Sequence, residues 1–483
     1  MALTVPVAEI VERSTNPLLG KAESWGRVLL GDIATIQNGF AFKSSQFVKD
    51  AGMPLIRIRD VGKDTTDTRY NGEYDPAYVV NAGDLLIGMD GDFNCARWSG
   101  EPGLLNQRVC RISLTSDIYH PKLLDYALPG YLKAINEMTS SVTVKHLSSK
   151  SIAEIPLPLP PMEQQERIVA EIEKQFSRLD EAVANLKRVK ANLKRYKAAV
   201  LKAAVEGKLT EEWRKAHPDV EPASKLLDRI LAERRAKWEE AELAKMEVKG
   251  KTPKNDKWKA KYKEPVAPDT TNLPDLPGGW VWAKWEQVGL SQNGRPFPSK
   301  DYCNEGVKLL RPGNLHQSGV VVWTPENTRH MPYQYEERNP DLIIEDGELV
   351  MNLTAQSLKD EFLGRVCLTA PGERCLLNQR LARLTPIVVL PEFALVVFKS
   401  NLFRRFVDGL NTGSLIQHMF TSQIATFAFP VPPLIEQHRI VAEVNRHLSL
   451  LSDTEAQVDA SVLRAQGLRR SILEQAFCAG YRL

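Results

Sequence analysis

The sequence predicts an α+β fold: two similar mixed α/β domains separated by an antiparallel pair of long coiled-coil helices. The first observation is a prolyl turn followed by a long helical pattern, which begins at Pro158 and recurs at Pro430 with the same Arg-Ile-Val-Ala-Glu sequence. The second is that the segments before the two turns share short motifs in the same order. Both indicate one duplicated unit, and a pseudo-twofold relation between its copies makes the two helices antiparallel.

The composition is that of an ordinary globular protein. Of 483 residues, 43% are apolar and 25% are charged, with a net charge of +3, and this length allows about two to four domains. The sequence shows no secretory leader and no apolar run of membrane-spanning length, so we expect a cytoplasmic protein. The six cysteines form no Cys-x-x-Cys pair and are predicted to be reduced packing residues, not zinc ligands.

An N-terminal tail, residues 1–24, precedes the first domain, residues 25–160 (head 1). Short apolar runs broken by Gly, Asp and Asn predict strands, and one longer run predicts a helix. The predicted strands are Val28–Ile36, Pro54–Arg59, Asp84–Met89 and Val109–Leu114, and the predicted helix is Lys122–Met138. This mixture and size are typical of one α+β domain.

The two long spacer helices are predicted over residues 161–207 and 433–480. Both carry apolar residues at every seventh position over about five heptads, which is the spacing of a coiled coil. The residues predicted to form this seam or to dock partners are Ile172, Leu179, Leu186 and Leu193 in the first helix and Val444, Leu451, Val458 and Ile472 in the second. An antiparallel pair is favoured because Glu455 can then approach Lys190, whereas in a parallel pair each charge would face a valine.

Residues 208–279 link the two halves. Pro222–Met246 has a helical pattern, and Lys245–Lys263 contains eight lysines against Glu247 and Asp256. Lysine-rich sequence without an apolar period predicts a flexible linker. Two interpretations stay open: a segment that lies along a phosphate backbone, or a merely solvated tether.

The second domain, residues 280–432 (head 2), repeats motifs of head 1. The matching positions are Trp25 with Trp280, Gln37-Asn38-Gly39 with Gln292-Asn293-Gly294, Asn106-Gln107-Arg108 with Asn378-Gln379-Arg380, and His146 with His418. We expect the Asn-Gln-Arg run to make structural hydrogen bonds. Arg57 and its counterpart Arg311, like the two histidines, stay open between phosphate contact and internal pairing.

Motifs of catalysis are not found in the sequence. It has neither a phosphate-binding loop nor a dinucleotide fingerprint. Asp75-Pro76-Ala77-Tyr78 approaches an amino-methyltransferase turn but lacks its second proline, and we interpret it as a plain turn. Pro218-Asp219 with Glu247-Val248-Lys249 matches a metal-nuclease pattern on paper, but part of it falls in the lysine-rich stretch, so we interpret it as coincidence. The sequence therefore predicts a non-catalytic binding subunit with no metal or cofactor of its own.

Candidate DNA-reading residues lie in loops where the two heads diverge. Arg and Gln suit bidentate contacts to base edges and aromatic rings suit stacking, although for any single residue an ordinary solvated position is the competing interpretation. The candidates are Lys43, Ser44, Arg59, Lys63, Arg69, Tyr70, Arg97 and Trp98 in head 1 and Arg295, Lys300, Tyr302, His316, Gln317, Arg329, Lys359 and Arg365 in head 2. Head 1 has 14 Lys/Arg and 15 Asp/Glu, and head 2 has 15 of each. We therefore expect partner subunits to supply much of the grip on phosphate.

Three stretches carry a resemblance to a known family. They are Ile155–Val169 with its second copy, Ala204–Arg214 after the first long helix, and the opening of head 1 from Leu30 to Lys43. In these the chain resembles the DNA-specificity subunits of type I restriction–modification systems, and the resemblance runs from Trp25 to the end. The second copy departs at Ile435-Glu436, where the first has Glu163-Gln164.

The resemblance implies a function for each part. Each head would be a target-recognition domain that reads one half of a bipartite DNA sequence, and the helices would set the unread gap. Two methyltransferase subunits would dock on the helices and heads and methylate adenine N6 on a flipped base, and ATP-driven restriction subunits would join them. S-adenosylmethionine, ATP and Mg²⁺ are then expected on those partners, with no membrane involved.

Two alternatives remain at this point. One is the specificity subunit of a related system in which methylation and cleavage are fused in one partner chain. The other is a duplicated coiled-coil scaffold that binds only protein.

Overall fold

The computed structural model describes residues 5–14, 16–138, 145–248, 253, 255–356, 361–387, 389–410 and 417–479. The chain divides into two units: unit 1 is Met1–Arg188 with Val458–Leu483, and unit 2 is Val189–Gln457. Each unit holds both sheets and helices, which confirms the α+β class. In the described part of the chain, no helix combines the length and the apolar character that crossing a bilayer requires.

Unit 1 contains head 1 and the beginning of the first long helix. Its strands are β1 (Gly26–Leu29), β2 (Ala34–Asn38), β3 (Phe47–Val48), β4 (Met53–Ile56), β5 (Arg69–Tyr70), β6 (Val79–Val80), β7 (Leu85–Gly88), β8 (Cys95–Arg97), β9 (Gly103–Leu105), β10 (Val109–Leu114) and β11 (Pro156–Leu159). Its helices are α1 (Val7–Arg13), α2 (Leu30–Ile33), α3 (Pro121–Met138), α4 (Ser149–Ala153) and α5 (Met162–Val205), which continues into unit 2.

Head 1 is built on two sheets. An antiparallel sheet has the order β2-β10-β7-β8, and a second sheet has the order β3-β5-β4-β9-β6 with the pair β4–β9 parallel. β1 pairs separately with β11 and thereby joins the two ends of the head. The main core lies between the first sheet and α3, whose buried face includes Leu123, Leu128 and Tyr131.

One predicted strand of head 1 is wrong. Val28–Ile36 is not continuous, because the helical turn α2 separates β1 from β2. Leu30 and Ile33 are both fully buried. Residues three apart point to opposite faces of a strand but to the same face of a helix, so the turn lets both side chains enter one core.

Unit 2 contains the linker and head 2. Its strands are β12 (Val281–Lys284), β13 (Gly289–Asn293), β14 (Val307–Leu310), β15 (His330–Met331), β16 (Ile343–Ile344), β17 (Leu349–Asn352), β18 (Thr354–Ala355), β19 (Val366–Leu368), β20 (Cys375–Leu377), β21 (Leu381–Pro386), β22 (Gln417–His418) and β23 (Ala428–Val431). Its helices are α6 (Glu211–Ala216), α7 (Ala223–Val248), α8 (Trp285–Val288), α9 (Gln334–Arg338), α10 (Pro391–Lys399), α11 (Asn401–Leu410), α12 (Thr421–Ala425) and the beginning of α13 (Leu434–Ala479), which continues into unit 1.

Head 2 repeats the strand order of head 1, except that its second sheet has four described strands instead of five. Its antiparallel sheet has the order β13-β21-β17-β19, and its second sheet has the order β15-β14-β20-β16 with β14–β20 parallel. β12 pairs with β23 as β1 pairs with β11. The duplication predicted from short motifs is therefore a duplication of strand order as well.

The linker is more ordered than its lysine content suggested. α7 covers the predicted helical pattern, and residues Asp256–Lys261 form a 3-10 helix. Trp258 stacks on Trp238 of α7 with ring centroids 6.0 Å apart, and Tyr262 packs on the same ring at 5.2 Å. These aromatic contacts hold the described part of the lysine-rich stretch against α7.

α5 and α13 have 44 and 46 residues. α5 contains neither glycine nor proline, and it ends where Gly207 adopts a φ of +68° and Lys208 N–H donates to Ala203 O at 2.8 Å. A left-handed glycine that closes the last turn is a common helix stop.

The two long helices run antiparallel in each unit. In unit 1 the start of α5, around Ile168, shares a buried cluster with Phe477 near the end of α13. Farther along α5, Asp180 pairs with Arg469, which lies earlier on α13. Both contacts fit the predicted antiparallel pair.

The same direction holds in unit 2. There the Tyr196 hydroxyl and His447 Nδ1 form a hydrogen bond of 3.2 Å, and farther along α5, Ala204 shares a cluster with the earlier Ile440. The seam positions are buried at Ile172, Val444, Leu451, Val458 and Ile472 and half-buried at Leu179, Leu186 and Leu193.

Candidate nucleic-acid interface

A half-buried arginine ties the sheets of head 1 together. Arg111 on β10 donates to Gln37 Oε1 at 3.1 Å through Nε and to Val79 O at 2.8 Å, and it pairs with Asp84 at 3.1 Å. Gln37 in turn donates to Ala77 O at 2.9 Å. The network links strands of both sheets, so it fixes the loops between them.

Head 2 contains the same network on equivalent strands. Arg383 on β21 donates to Gln292 Oε1 at 3.1 Å and to Ile343 O at 2.8 Å, and it pairs with Glu348 at 3.3 Å. Gln292 donates to Asp341 O at 2.8 Å. A framework reproduced to this detail positions the loops of the two heads in the same way.

Each head is also tied to the start of a long helix by an indole. Trp25 Nε1 donates to Gln164 at 2.9 Å in unit 1. In unit 2, Trp280 Nε1 donates at 2.8 Å to Glu436, which is fully buried and also receives hydrogen bonds from Thr210 at 2.6 Å and Arg214 at 2.7 Å. The charged version in unit 2 also anchors the segment that follows α5.

Three predicted reading residues of head 1 come together around β5. Arg59 Nη2 donates to Thr68 Oγ1 at 3.1 Å, and Arg69 donates to Gly52 O at 2.9 Å while pairing with Glu101 at 2.5 Å. Tyr70 is buried and its hydroxyl donates to Gln46. Its ring is a packing group of head 1 and is not offered for stacking.

The other predicted residues of head 1 have different surroundings. Lys43, Ser44 and Lys63 are exposed. Arg97 lies on the other sheet, where it donates to Asp125 at 2.6 Å on α3. Trp98, like Tyr70, is buried, and its indole donates to Glu101 O at 2.8 Å.

In head 2 three of the predicted residues lie together. Gln317 and His316 are exposed in a turn next to Arg365, which donates to Leu315 O at 3.3 Å. Tyr302 is half-buried and packs against a hydrophobic core cluster of head 2.

The remaining predicted positions of head 2 have other surroundings. Arg295 pairs with Asp341 at 3.2 Å, Lys300 is exposed, and Arg329 donates to Thr328 O at 2.6 Å. Lys359 lies outside the described residues.

Sequence reasoning missed Lys399, at the end of α10. Its ammonium donates to Ser318 O, in the turn that carries Gln317. Burial, with a smaller contribution from the charge of Lys197, lowers the pKa of Lys399 to about 8. No sequence signal marks this lysine, because the helix end and the turn are far apart along the chain.

Three buried cysteines are poor nucleophiles. Burial raises the pKa of Cys110, Cys367 and Cys375 to about 12, so these thiols stay protonated at neutral pH. Among the residues that the structure describes, no three His, Cys, Asp or Glu side chains are grouped to hold a metal ion.

Comparisons with known proteins agree with this architecture. Residues 22–195 match the family model of the type I restriction modification DNA specificity domain. The chain is 30% identical over 479 residues to the type I restriction enzyme EcoBI specificity subunit of Escherichia coli, covering 97% of this chain and 89% of that protein. It is 24% identical to the EcoKI specificity subunit of Escherichia coli strain K12, over 94% and 89% of the two chains.

A structure with the same fold is among the solved structures that match this chain. It comes from work on complex assembly and conformational transition of the type I R-M system, with a TM-score of 0.59 and 16% identity, and the match covers 95% of this chain and 98% of the other.

Proposed function

The chain belongs to the type I restriction–modification specificity subunits, which recognise DNA targets, and from this membership we propose how its parts divide the work. We propose that each head reads one half of a bipartite sequence. The observation that carries this proposal is the repeated Arg111 and Arg383 framework, which supports loops with different exposed residues in the two heads. One scaffold with two sets of loops suits two different half-sites.

Base reading is assigned to the exposed candidates. Among them we propose Lys43, Arg59 and Lys63 in head 1 and Lys300, Gln317 and Arg295 in head 2. All the candidate arginines donate to protein oxygens and would have to exchange those bonds for DNA; they are Arg59, Arg69, Arg97, Arg295, Arg329 and Arg365. Tyr70 and Trp98 are left out because burial removes their rings from contact.

The long helices have two assigned roles. As a stiff antiparallel pair they set the distance between the half-sites, and their surface docks two methyltransferase subunits. The absence of glycine and proline from α5 supports the first role, because such a helix resists bending.

Catalysis is assigned to partner subunits. The methyltransferase would bind S-adenosylmethionine and methylate adenine, and restriction subunits would use ATP and Mg²⁺ to cleave unmethylated DNA. The relatives that the chain matches are named as specificity subunits, which supports a subunit that supplies recognition only.

Methylation mapping tests the assignment of one half-site to each head. We expect a strain with the intact system to methylate adenines in one bipartite sequence. Arg59→Ala with Lys63→Ala should then relax bases in one half only, and Gln317→Ala should relax the other half only. Lys133→Ala, an exposed lysine on α3, is the matched control and should leave the map unchanged.

The outcome also separates the rival readings. Changes in both halves from a head 1 variant would contradict one reader per half-site. A chain that co-purifies with partners while no bipartite sequence is methylated or protected would instead support a protein-only scaffold.

A further inference from the structure

A tight turn with two exposed polar side chains ends the parallel strand β9 of head 1. Val109 N–H donates to Asn106 O at 2.8 Å and closes the turn, and Gln107 N–H donates to Phe40 O at 2.9 Å. A Cβ on Gly39 would lie 2.1 Å from Asn106 O, so only glycine lets these two loops meet. Gln107 and Arg108 occupy the centre of the turn and are exposed.

The same turn recurs at the end of β20 in head 2. Leu381 N–H donates to Asn378 O at 3.0 Å, and a Cβ on Gly294 would lie 2.1 Å from Asn378 O. Gln379 and Arg380 are exposed in the central positions. The Asn-Gln-Arg turn is therefore one structure built twice.

A second arginine lies beside each turn. β4 pairs in parallel with β9, and Ile56 lies opposite Leu105, so Arg57 follows β4 next to Asn106. In head 2, Leu310 lies opposite Leu377, and Arg311 follows β14 next to Asn378 in the same way. The pair of arginines thus recurs at the ends of the parallel strands.

A histidine segment flanks each turn through shared backbone hydrogen bonds. In head 1, Met89 N–H donates to Arg108 O at 2.9 Å and Leu147 N–H donates to Met89 O at 2.7 Å, which brings His146 alongside. In head 2, Leu353 connects Arg380 to the segment of His418 by the same two bonds, at 2.9 and 3.0 Å.

We propose that the Asn-Gln-Arg turn of each head, with Arg57 or Arg311 beside it, binds the phosphate backbone of DNA. The backbone bonds of the turn do not need the side chains at its two central positions, yet both copies carry Gln and Arg there. Residues that read bases should differ between heads, whereas phosphate is common to both half-sites. Two arginines and a glutamine amide are donors that suit an anionic oxygen. This inference rests on the proposed function.

The two copies differ in charge. In head 1, Asp90 pairs with Arg108 at 2.9 Å and with His146 at 2.6 Å. At the equivalent position of head 2, the residue opposite His418 in the β-ladder is Thr354, which carries no charge. Among the described residues no carboxylate forms an ion pair with Arg380. Asp90 competes with phosphate for Arg108, so head 2 should contribute more to backbone binding than head 1.

The test uses the complex of this chain with the methyltransferase subunit of its own system. Two synthetic duplexes serve as probes: the mapped bipartite sequence, and the same duplex with both halves scrambled. Arg380→Ala should weaken binding to both duplexes by the same factor, about tenfold, and lower the slope of log affinity against log salt by about one. Arg108→Ala should act in the same way but less strongly, and Asp90→Asn should tighten binding to both.

Two further variants complete the design. Arg338→Ala, an exposed arginine on α9, is the matched control and should bind like the wild type. Arg380→Lys should restore much of the affinity and salt slope, because charge alone recovers part of a phosphate contact. The lysine variant also separates a lost contact from a folding defect. Asp90→Asn does the same, because a folding defect cannot make the complex bind DNA more tightly.

Three outcomes overturn the inference. If the double variant Arg108→Ala with Arg380→Ala binds both duplexes as tightly as the wild type, the two turns do not contact phosphate. Weakening confined to the bipartite duplex means that the turn reads bases. Failure of the folded variant to assemble with the methyltransferase means that it docks protein. In contrast, a wild-type complex that does not distinguish the two duplexes overturns the proposed function itself.

Discussion

Glu436, at the start of α13, is the centre of a group of buried polar contacts. Its carboxylate accepts from Trp280, Thr210 and Arg214, and the side chains of Glu436 and Arg214 are 1% and 20% exposed. Removing one partner of a buried pair leaves the other charge uncompensated. The equivalent position in the first copy is Gln164, which keeps only the indole contact.

We predict that Glu436→Ala lowers the free energy of unfolding by about 3–5 kcal/mol, since it leaves Arg214 without its carboxylate. Glu436→Gln should cost about 1–3 kcal/mol, because it keeps the bond from Trp280 but not the charge. Urea denaturation measures both. Glu474→Ala, which removes a partly exposed helical ion pair with Arg470, is the control and should cost less than about 1 kcal/mol. Equal losses of unfolding free energy for Glu436→Ala and Glu474→Ala would contradict a stabilising role of the buried Glu436 contacts.

A second prediction at this scale concerns Lys399 and pH. Its pKa is lowered to about 8 from 10.5 by burial. Between these values the native lysine has lost its proton while the unfolded one retains it, so unfolding takes up a proton and stability rises with pH. The cost of burying the ammonium is greatest below pH 8.

The free energy of unfolding of the wild type, minus that of Lys399→Met, should therefore rise between pH 8 and 10.5. Denaturant titrations at several pH values measure this difference, and subtracting the variant removes the effect of other titrating groups. A difference that stays flat across this range would show that Lys399 is not desolvated in solution.

At the scale of elements, α5 and α13 are the parts whose length has a direct functional consequence. Both are unbroken over more than forty residues. One heptad adds about 10 Å to an α-helix, which corresponds to about three base pairs of B-DNA. A heptad also keeps every seam residue on its face.

We predict that inserting one heptad into each long helix lengthens the unread gap of the methylated sequence by about three base pairs and leaves both half-sites unchanged. Methylation mapping provides the measurement. A seven-residue insertion after Glu264 in the linker is the control and should not change the gap. If the variant with longer helices still methylates the sequence with the original gap, the helices do not set the distance between the half-sites.

At the scale of the whole molecule, charge limits what the chain does alone. Head 1 has one more acidic than basic residue, and head 2 is balanced. Sequence-independent DNA affinity comes mostly from phosphate neutralisation, so we expect neutral heads to bind weakly. Several basic residues of head 2 also pair internally, as Arg374 does with Glu336 at 2.6 Å.

We predict that the isolated chain binds the bipartite duplex at least about tenfold more weakly than its complex with methyltransferase, with a smaller salt slope. Fluorescence anisotropy at several salt concentrations measures both quantities. Protection of the bipartite sequence by the isolated chain, with the same affinity as the complex, is the opposite result. It would show that the heads themselves make most of the phosphate contacts.

The sequence by itself determined the α+β class, the duplication and the antiparallel helices. Repeated motifs and heptad spacing are patterns along the chain, so they can be recognised before the fold is known. The sequence located β10 at Val109–Leu114 and predicted α3 to within one residue. It failed at Val28–Ile36, where burial of Leu30 and Ile33 in one core imposes a helical turn on an apolar run.

Only the tertiary structure decided which side chains are available to a ligand. Tyr70 and Trp98 look like stacking residues in the sequence but are buried, whereas the Asn-Gln-Arg turn looks structural but exposes Gln107 and Arg108. Burial depends on residues brought together from distant parts of the chain, as Lys399 and Ser318 are. A sequence pattern records neighbours along the chain, while exposure, pairing and pKa depend on neighbours in space.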